Sequence, residues 1–433
     1  MICLRRKLEE ELVRWKDKAE DRMPLLLYGA RQVGKTYLLV KFGEKYFENT
    51  VYVNLETNLS VASYFAEDIT PERLLRFLET TVNEEIIPSK TLIIFDEIQS
   101  CERALTSLKY FCELAPEYHV VAAGSLLGVA VNREHYSFPV GKVDSRILFP
   151  LDFEEFLWAM GEKRLAEEIR RCFKVMEPMV EALHQKAIEL YRYYLIVGGM
   201  PACVDLFTKS GKLILVPTVQ AEILNNYVAD MAKYASPTDT VKIRACFNSI
   251  PAQLAKENKK FQYKVVQRGG SAALFGVSIE WLSQAGIVLK CQKLEQAISP
   301  IPVYIDLASF KLYMSDVGLL VMKSGVPQQS VLTGEANLFM GSVTENYIAQ
   351  ALATNGYSLF YWTSEHSAEL DFVLQKDADI IGIEVKKGTK VKSKSLSVFI
   401  QRYSPAYSIR FSEKNFGKTD ATWSVPLYAA FCV

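Results

Sequence analysis

Short apolar runs punctuate the first 150 residues: Leu25 to Tyr28 behind Pro24, Val51-Tyr52-Val53-Asn54-Leu55, Leu92 to Phe95, Val120 to Ala123 and Ile147-Leu148-Phe149. Runs of this length without polar alternation predict strands buried on both faces, as in a parallel sheet. Between them the apolar positions take helical spacing, as at Leu38, Leu39, Phe42 and Tyr46. Strand and helix patterns in alternation predict an α/β core. From Leu151 to about Ala235 the pattern is helical. One helix starts at Asp152-Phe153-Glu154-Glu155-Phe156-Leu157 with acids in its first turn, and another ends at Gly198-Gly199-Met200-Pro201. Asp239 to Lys256, Ser271 to Ala285 and the short strand Ile287-Val288-Leu289 predict a winged-helix unit. The last hundred residues return to α/β: a helix over Ala336 to Ala353, strands around Leu359–Trp362, Glu369–Leu374 and Ile380–Val385, a helix near Leu396–Tyr403 and two late strands.

Composition narrows this picture only in part. A chain of 433 residues is too long for one ordinary core, and 49% hydrophobic with 23% charged content suits folded domains. Fifty basic residues balance fifty acidic ones, so any surface for nucleic acid must be local. No apolar run approaches the roughly 20 residues of a membrane span, and Met1 to Asp21 has no apolar signal core. The eight cysteines are scattered without a Cys-x-x-Cys pair, so zinc and disulfide frameworks are not expected and a reducing cytoplasm is.

The candidate chemistry is sharpest at Gly29-Ala30-Arg31-Gln32-Val33-Gly34-Lys35-Thr36, the Gly-x-x-x-x-Gly-Lys-Ser/Thr pattern that cradles phosphate. Gly29 and Gly34 let the backbone turn its N–H groups onto an anion, Lys35 supplies charge for the β- and γ-phosphates, and Thr36 offers a hydroxyl to Mg²⁺. The motif needs a strand before it and a helix after it, and both patterns are present. Gly417-Lys418-Thr419 ends the same way, but Ser412 stands where the first glycine belongs. Sixty residues after Thr36 a buried strand ends in Asp96-Glu97, where an Asp would hold the Mg²⁺ shell and a Glu would polarise the attacking water of ATP hydrolysis. Ser125, at the end of the next strand, is a candidate sensor of the γ-phosphate, or equally a helix cap. Arg133, Lys142 and Arg146 are candidates to act on a neighbouring subunit's nucleotide, against the plainer reading of surface charge. The helical block after this core suggests a lid.

A second cluster lies near the C-terminus. Asp371 sits in one predicted strand, and Glu384 and Lys386 lie on the same side of the next. Two adjacent strands that each present a carboxylate can hold a divalent metal, and a lysine beside them can orient water. Glu345, in the preceding helix, is a further candidate ligand. The alternative is a hairpin with an ordinary charged edge. Glu257-Asn258-Lys259 matches the same Glu-x-Lys triplet in a polar stretch without a strand, and it belongs to a basic run of Lys256, Lys259, Lys260, Lys264 and Arg268.

Taken in order, the phosphate loop, Phe95-Asp96-Glu97-Ile98-Gln99, Gly124-Ser125, Pro150 to Leu157, Gly198-Gly199-Met200-Pro201, Phe310 to Leu320, Glu369-Leu370-Asp371-Phe372 and Ile383-Glu384-Val385-Lys386 resemble one family. It is that of the prokaryotic AAA+ ATPases carrying a C-terminal restriction-endonuclease-like domain. The resemblance implies an AAA+ core over 1–150, a helical lid over 151–236, a winged-helix-like domain over 237–333 and a PD-(D/E)xK nuclease-like domain over 334–433. Onto the nuclease motif fall Asp371, Glu384 and Lys386, with Glu345 as the helix acid. Leu370 replaces the proline usual before the first acid. The implied cofactors are ATP and Mg²⁺, and the implied partners are DNA and further copies of the chain. Two functions compete: an ATP-driven machine whose last domain cuts DNA, and a nucleotide-controlled switch whose last domain only binds DNA or protein.

Overall fold

The computed structural model describes residues 4–125, 139–334, 338–364, 368–388, 394–419 and 421–433. They group into two compact units, the first of Arg5–Phe149 with Gln284–Gly286, the second mainly of Pro150–Ser283 and Ile287–Val433.

Strands β1 (Leu25–Tyr28), β2 (Asn49–Asn54), β3 (Thr91–Asp96), β4 (His119–Ala123) and β5 (Asp144–Ile147) build the first unit's sheet in the order β2-β3-β4-β1-β5. Every pairing is parallel. β1, β3 and β4 are buried at all positions, which explains their unbroken apolar runs. β5 begins three residues earlier than the expected Ile147-Leu148-Phe149. It is an edge strand with one face wet, so half-buried Asp144 and Arg146 alternate with exposed Ser145 and Ile147, and register with β1 (Leu25↔Asp144) fixes it. Because β4 lies between β1 and β3, the carboxyl ends of these three strands, and the residues that follow each, sit side by side.

The second unit opens with helices. Phe153–Ala159 starts with a capping box: Asp152 Oδ1 accepts from the Glu155 N–H at 2.9 Å, and Glu155 Oε2 accepts from the Asp152 N–H at 3.2 Å. Next to it, three motifs meet in backbone contact. Asp316 caps the helix Val317–Ser324 through Leu319 N–H at 2.8 Å and accepts from Gly199 N–H at 2.6 Å. A Cβ on Gly199 would stand 1.9 Å from the Leu151 carbonyl oxygen, and one on Gly318 would stand 2.5 Å from the Gly198 nitrogen. These glycines are therefore packing requirements. Burial pushes the Asp316 carboxyl up to about 6 against its three backbone donors.

Eight further strands follow: β6 (Val288–Leu294), β7 (Ile305–Met314), β8 (Phe360–Thr363), β9 (Glu369–Lys376), β10 (Asp379–Val385), β11 (Ser408–Ser412), β12 (Gly417–Lys418) and β13 (Thr422–Pro426). They form one sheet in the order β12-β13-β11-β10-β9-β8-β6-β7. The hairpin of β6 and β7 follows helices Pro237–Leu254, Tyr263–Val266 and Ala272–Gln284, and it joins the rest through parallel pairing of β6 with β8. The division expected at 333/334 thus runs through a continuous sheet. Among the described residues, no helix is long and apolar enough to cross a membrane.

Candidate functional site: a phosphate loop and an acid cluster

In the first unit the segment between β1 and the helix Lys35–Tyr46 is shaped by three left-handed residues, Gly29 (φ +155°), Gln32 (φ +66°) and Gly34 (φ +94°). Gly29 admits no side chain, since a Cβ there would lie 2.3 Å from the Leu148 carbonyl oxygen. Arg6, buried beneath the loop, donates to the Val33 carbonyl at 3.0 Å and to the Phe149 carbonyl at 2.5 Å. Lys35 Nζ donates to the Gly29 and Ala30 carbonyls, each at 3.0 Å, so its charge lies at the mouth of the loop. Thr36 Oγ1 donates to Asp96 Oδ2 at 2.7 Å, and Tyr52 donates to the same oxygen at 2.9 Å. Burial, and then the Asp96 carboxylate, push the Tyr52 phenol up to about 12.

Glu97 follows Asp96 in the left-handed region (φ +52°), and its Oε2 accepts from Gln99 Nε2. The Gln99 amide lies against Gly124, where a Cβ would meet Gln99 Oε1 at 2.6 Å. Gln99 thus links the acid after β3 to the segment after β4 that carries Ser125. Sequence patterning singles out neither Arg6 nor Tyr52 nor Gln99 for these contacts, and only the arginine's place two residues before a helix that buries Leu8, Leu12 and Trp15 hints at an inward role. Lys142 pairs with Glu113 at 3.0 Å and Arg146 with Glu11 at 2.9 Å. Arg133 lies outside the described residues.

In the second unit the acids do not gather as expected. Glu345, 2% exposed in the helix Met340–Thr354, accepts from Lys311 Nζ at 3.2 Å and from the Tyr313 hydroxyl on Oε1, and from Lys259 on Oε2. Lys311, fully buried on β7, also pairs with Glu369 at 2.6 Å. Asp371 Oδ2 accepts the Val385 N–H at 2.7 Å. Glu384, 2% exposed, pairs through Oε1 with Lys386 at 2.8 Å, and its Oε2 has no partner. Burial pushes the Glu345 carboxyl up, but Lys311 and Lys259 outweigh it and hold the group down at about 2. Asp371 goes the other way, up to about 7, through burial and then the Glu345 charge. The Lys311 ammonium is raised above its ordinary range, because Glu345, Glu369 and Asp371 outweigh its own desolvation.

The side chains of the expected metal set, Glu345, Asp371 and Glu384, are thus engaged with different partners. Among the described residues no group of three acids, histidines or cysteines is arranged to hold a metal. The physical reason is an ammonium already seated among the acids: Lys311 and Lys259 supply the positive charge that a divalent ion would bring. A lysine inside Phe310-Lys311-Leu312-Tyr313-Met314 is the sequence signal that goes unread. Lys259 belongs to the discounted Glu257-Asn258-Lys259 triplet.

Compared with protein-family models, residues 21–157 match one described as an AAA domain. Residues 21–157 are an AAA domain. Residues 188–330 and 340–430 each match a model described as a domain of unknown function. A comparison with curated proteins returns no match. Among solved structures, the chain is similar to a Walker-type ATPase of Pyrococcus abyssi at TM-score 0.44 and 14% identity, covering 73% of this chain and 95% of that one. It is also similar to the Aeropyrum pernix ORC1 protein in complex with DNA (TM-score 0.31, 14% identity, 75% and 94% covered). A RuvB variant of Thermotoga maritima follows (TM-score 0.30, 18% identity, 65% and 86% covered). At scores this low the likeness says nothing of substrate or partner.

Within the AAA domain the donor set suits Mg²⁺: a hydroxyl and a carboxylate oxygen in contact, both hard, beside the amide-rich loop. The two units therefore differ in kind. One sets a hydroxyl and a carboxylate in contact beside a phosphate loop, whereas the other surrounds its buried acid with lysines.

Proposed function

We propose that the AAA domain binds ATP with Mg²⁺ and hydrolyses it, and that nucleotide state governs what the second unit binds. The 2.7 Å contact between Thr36 and Asp96 carries this reading, because it joins the hydroxyl and the carboxylate required around a nucleotide-bound Mg²⁺. Gly29, Ala30, Arg31, Gln32, Val33 and Gly34 would offer backbone N–H groups to the phosphates, with Lys35 turning its ammonium from the loop carbonyls onto them. Mg²⁺, when bound, screens phosphate charge. Glu97 would orient the attacking water, released from or steadied by Gln99, and Ser125 would hydrogen-bond the γ-phosphate. The test is a pair of variants: Lys35→Ala should lose ATP binding, while Glu97→Gln should bind ATP and not turn it over. Equal hydrolysis by wild type and Glu97→Gln would refute the role given to Glu97.

For the second unit, binding is favoured over cutting. The buried Lys311 supports it, since a fixed ammonium stands among the acids that a metal-dependent nuclease would need open. The nuclease reading, with Asp371, Glu384 and Lys386 catalytic and Glu345 assisting, draws support from the unpartnered Glu384 Oε2 beside Lys386. DNA is the proposed partner in either case, with the helices before β6 and the β6–β7 hairpin read as a winged helix. Plasmid DNA incubated with Mg²⁺ or Mn²⁺, with and without ATP, separates the two. Nicking by wild type that disappears in the Asp371→Ala, Lys386→Ala double variant would establish cutting and end the binding-only reading.

A further inference from the structure

At the far edge of the second unit's sheet, Arg410, Lys414, Asn415, Gly417, Lys418 and Thr419 line a cavity of about 450 Å³, completed by Thr422 and Ser424. Strand register builds it. Arg410 on β11 is level with Ser424 on β13, and Ser424 is level with Gly417 on β12, so the three lie in one row across three strands. Thr422, two residues before Ser424, shares its face. The turn between β11 and β12 brings Lys414, and it is fixed by Asn415, which accepts from Met179 N–H at 2.9 Å and donates to the Met179 carbonyl at 2.7 Å.

The lining has three cations, three hydroxyls and no carboxylate. Among the described residues none of Arg410, Lys414 and Lys418 makes an ion pair. The Arg410 Nε is buried without a hydrogen-bond partner. A buried donor left unmatched in a native fold calls for an acceptor from outside the chain. Gly417 adds a second sign: a Cβ there would meet nothing within 4 Å, so the backbone borders open space. The unpaired positive charge favours a multiply charged anion over a carboxylate, and the hydroxyls suit phosphoryl oxygens.

We propose that this cavity binds a phosphate-bearing ligand, at a site separate from the phosphate loop. It is not a second copy of that loop. Gly417 and Lys418 stand on a strand, and the next described element is another strand, β13, rather than a helix. Two sources share the chemistry, a free nucleotide and the backbone of a nucleic acid, and 450 Å³ exceeds the need of a bare phosphate.

The experiment uses the full chain carrying Lys35→Ala, so that the phosphate loop does not mask the result. Binding of pyrophosphate and ADP is followed by calorimetry, and of a fluorescent single-stranded oligonucleotide by anisotropy, at low and moderate salt. At least one probe should bind. Affinity should fall at least tenfold in Arg410→Gln, Lys418→Gln, and similarly in Gly417→Val, which fills the cavity while leaving its charge intact. Binding by pyrophosphate and ADP identifies a small-molecule site, and binding by the oligonucleotide alone identifies a backbone site. Absence of binding by every probe overturns the proposal. So does a Gly417→Val protein, folded by circular dichroism, that binds as well as its parent, since the attraction would then be diffuse surface charge.

Discussion

Single residues decide the character of both sites. Gly29 combines a positive φ with a carbonyl 2.3 Å from any Cβ, so Gly29→Ala should cost about 2 kcal/mol or more and distort the loop. Lowered thermal stability together with weakened nucleotide binding is the expected result. Lys311 is the counterpart in the second unit. Lys311→Met would leave buried Glu345, and partly exposed Glu369, beside an apolar chain, at a cost of about 3–5 kcal/mol in urea unfolding. A loss below about 1 kcal/mol would mean that the acids are not held by this ammonium. Asp371 sets a pH dependence with a definite sign. Its carboxyl is raised to about 7, so between about pH 4 and 7 the folded protein holds a proton that the unfolded chain releases. Its contribution to stability is present at low pH and is lost as pH rises through that window. Asp371→Asn keeps an acceptor for the Val385 N–H and removes the titration. It should therefore be more stable than wild type at pH 8, by about 1–3 kcal/mol, with little difference at pH 4.

At the scale of elements, the motifs between 150 and 320 serve assembly. Asp152 starts its helix with a capping box, and Asp152→Ala should cost about 1 kcal/mol. Gly199 presses on the Leu151 carbonyl, and Gly211 turns with φ +65° into open space. Gly211→Ala should therefore lose only the strain of a left-handed alanine, about 1 kcal/mol, while Gly199→Ala should lose about 3 kcal/mol or more. Comparable melting temperatures for the two would contradict the packing role of Gly199. The hairpin of β6 and β7 is the element that most changes the second unit. By pairing with β8 it carries Lys311 and Tyr313 into the sheet that holds Asp371, which is how a lysine from before residue 334 comes to sit among acids from after it.

At the scale of the molecule, two compact units hold one candidate nucleotide site and one candidate partner-binding sheet. AAA+ sites usually complete at subunit boundaries, and the resemblance in sequence carries that expectation to this chain. ATP should promote homo-oligomers, seen most clearly by light scattering on Glu97→Gln, where hydrolysis would not disperse them. A strict monomer at micromolar protein and saturating ATP would count against this. The salt bridges of Lys142 and Arg146 within their own unit make both weak choices for a residue that acts across such a boundary.

The sequence by itself determined the local chemistry of the first unit. The phosphate loop, Asp96-Glu97 and the apolar runs around them are contiguous, and a buried parallel strand has no solvent face to blur its pattern. Edge strand β5 already escaped this reading, because register with β1 rather than hydrophobicity fixes where it starts. In the second unit the sequence marked Glu345, Asp371, Glu384 and Lys386 as important but left open what they meet. Only the tertiary structure decided that Glu345 meets Lys311 and Lys259, that Asp371 meets the Val385 N–H and that Glu384 turns to Lys386. Convergence of side chains from distant segments depends on strand order and on which element closes the sheet. The β6–β7 hairpin brings Lys311 to Glu345 across 34 residues, and the segment before it brings Lys259 across 86. No local pattern encodes such a contact, since each lysine satisfies its own surroundings equally well as surface charge until the fold removes the water.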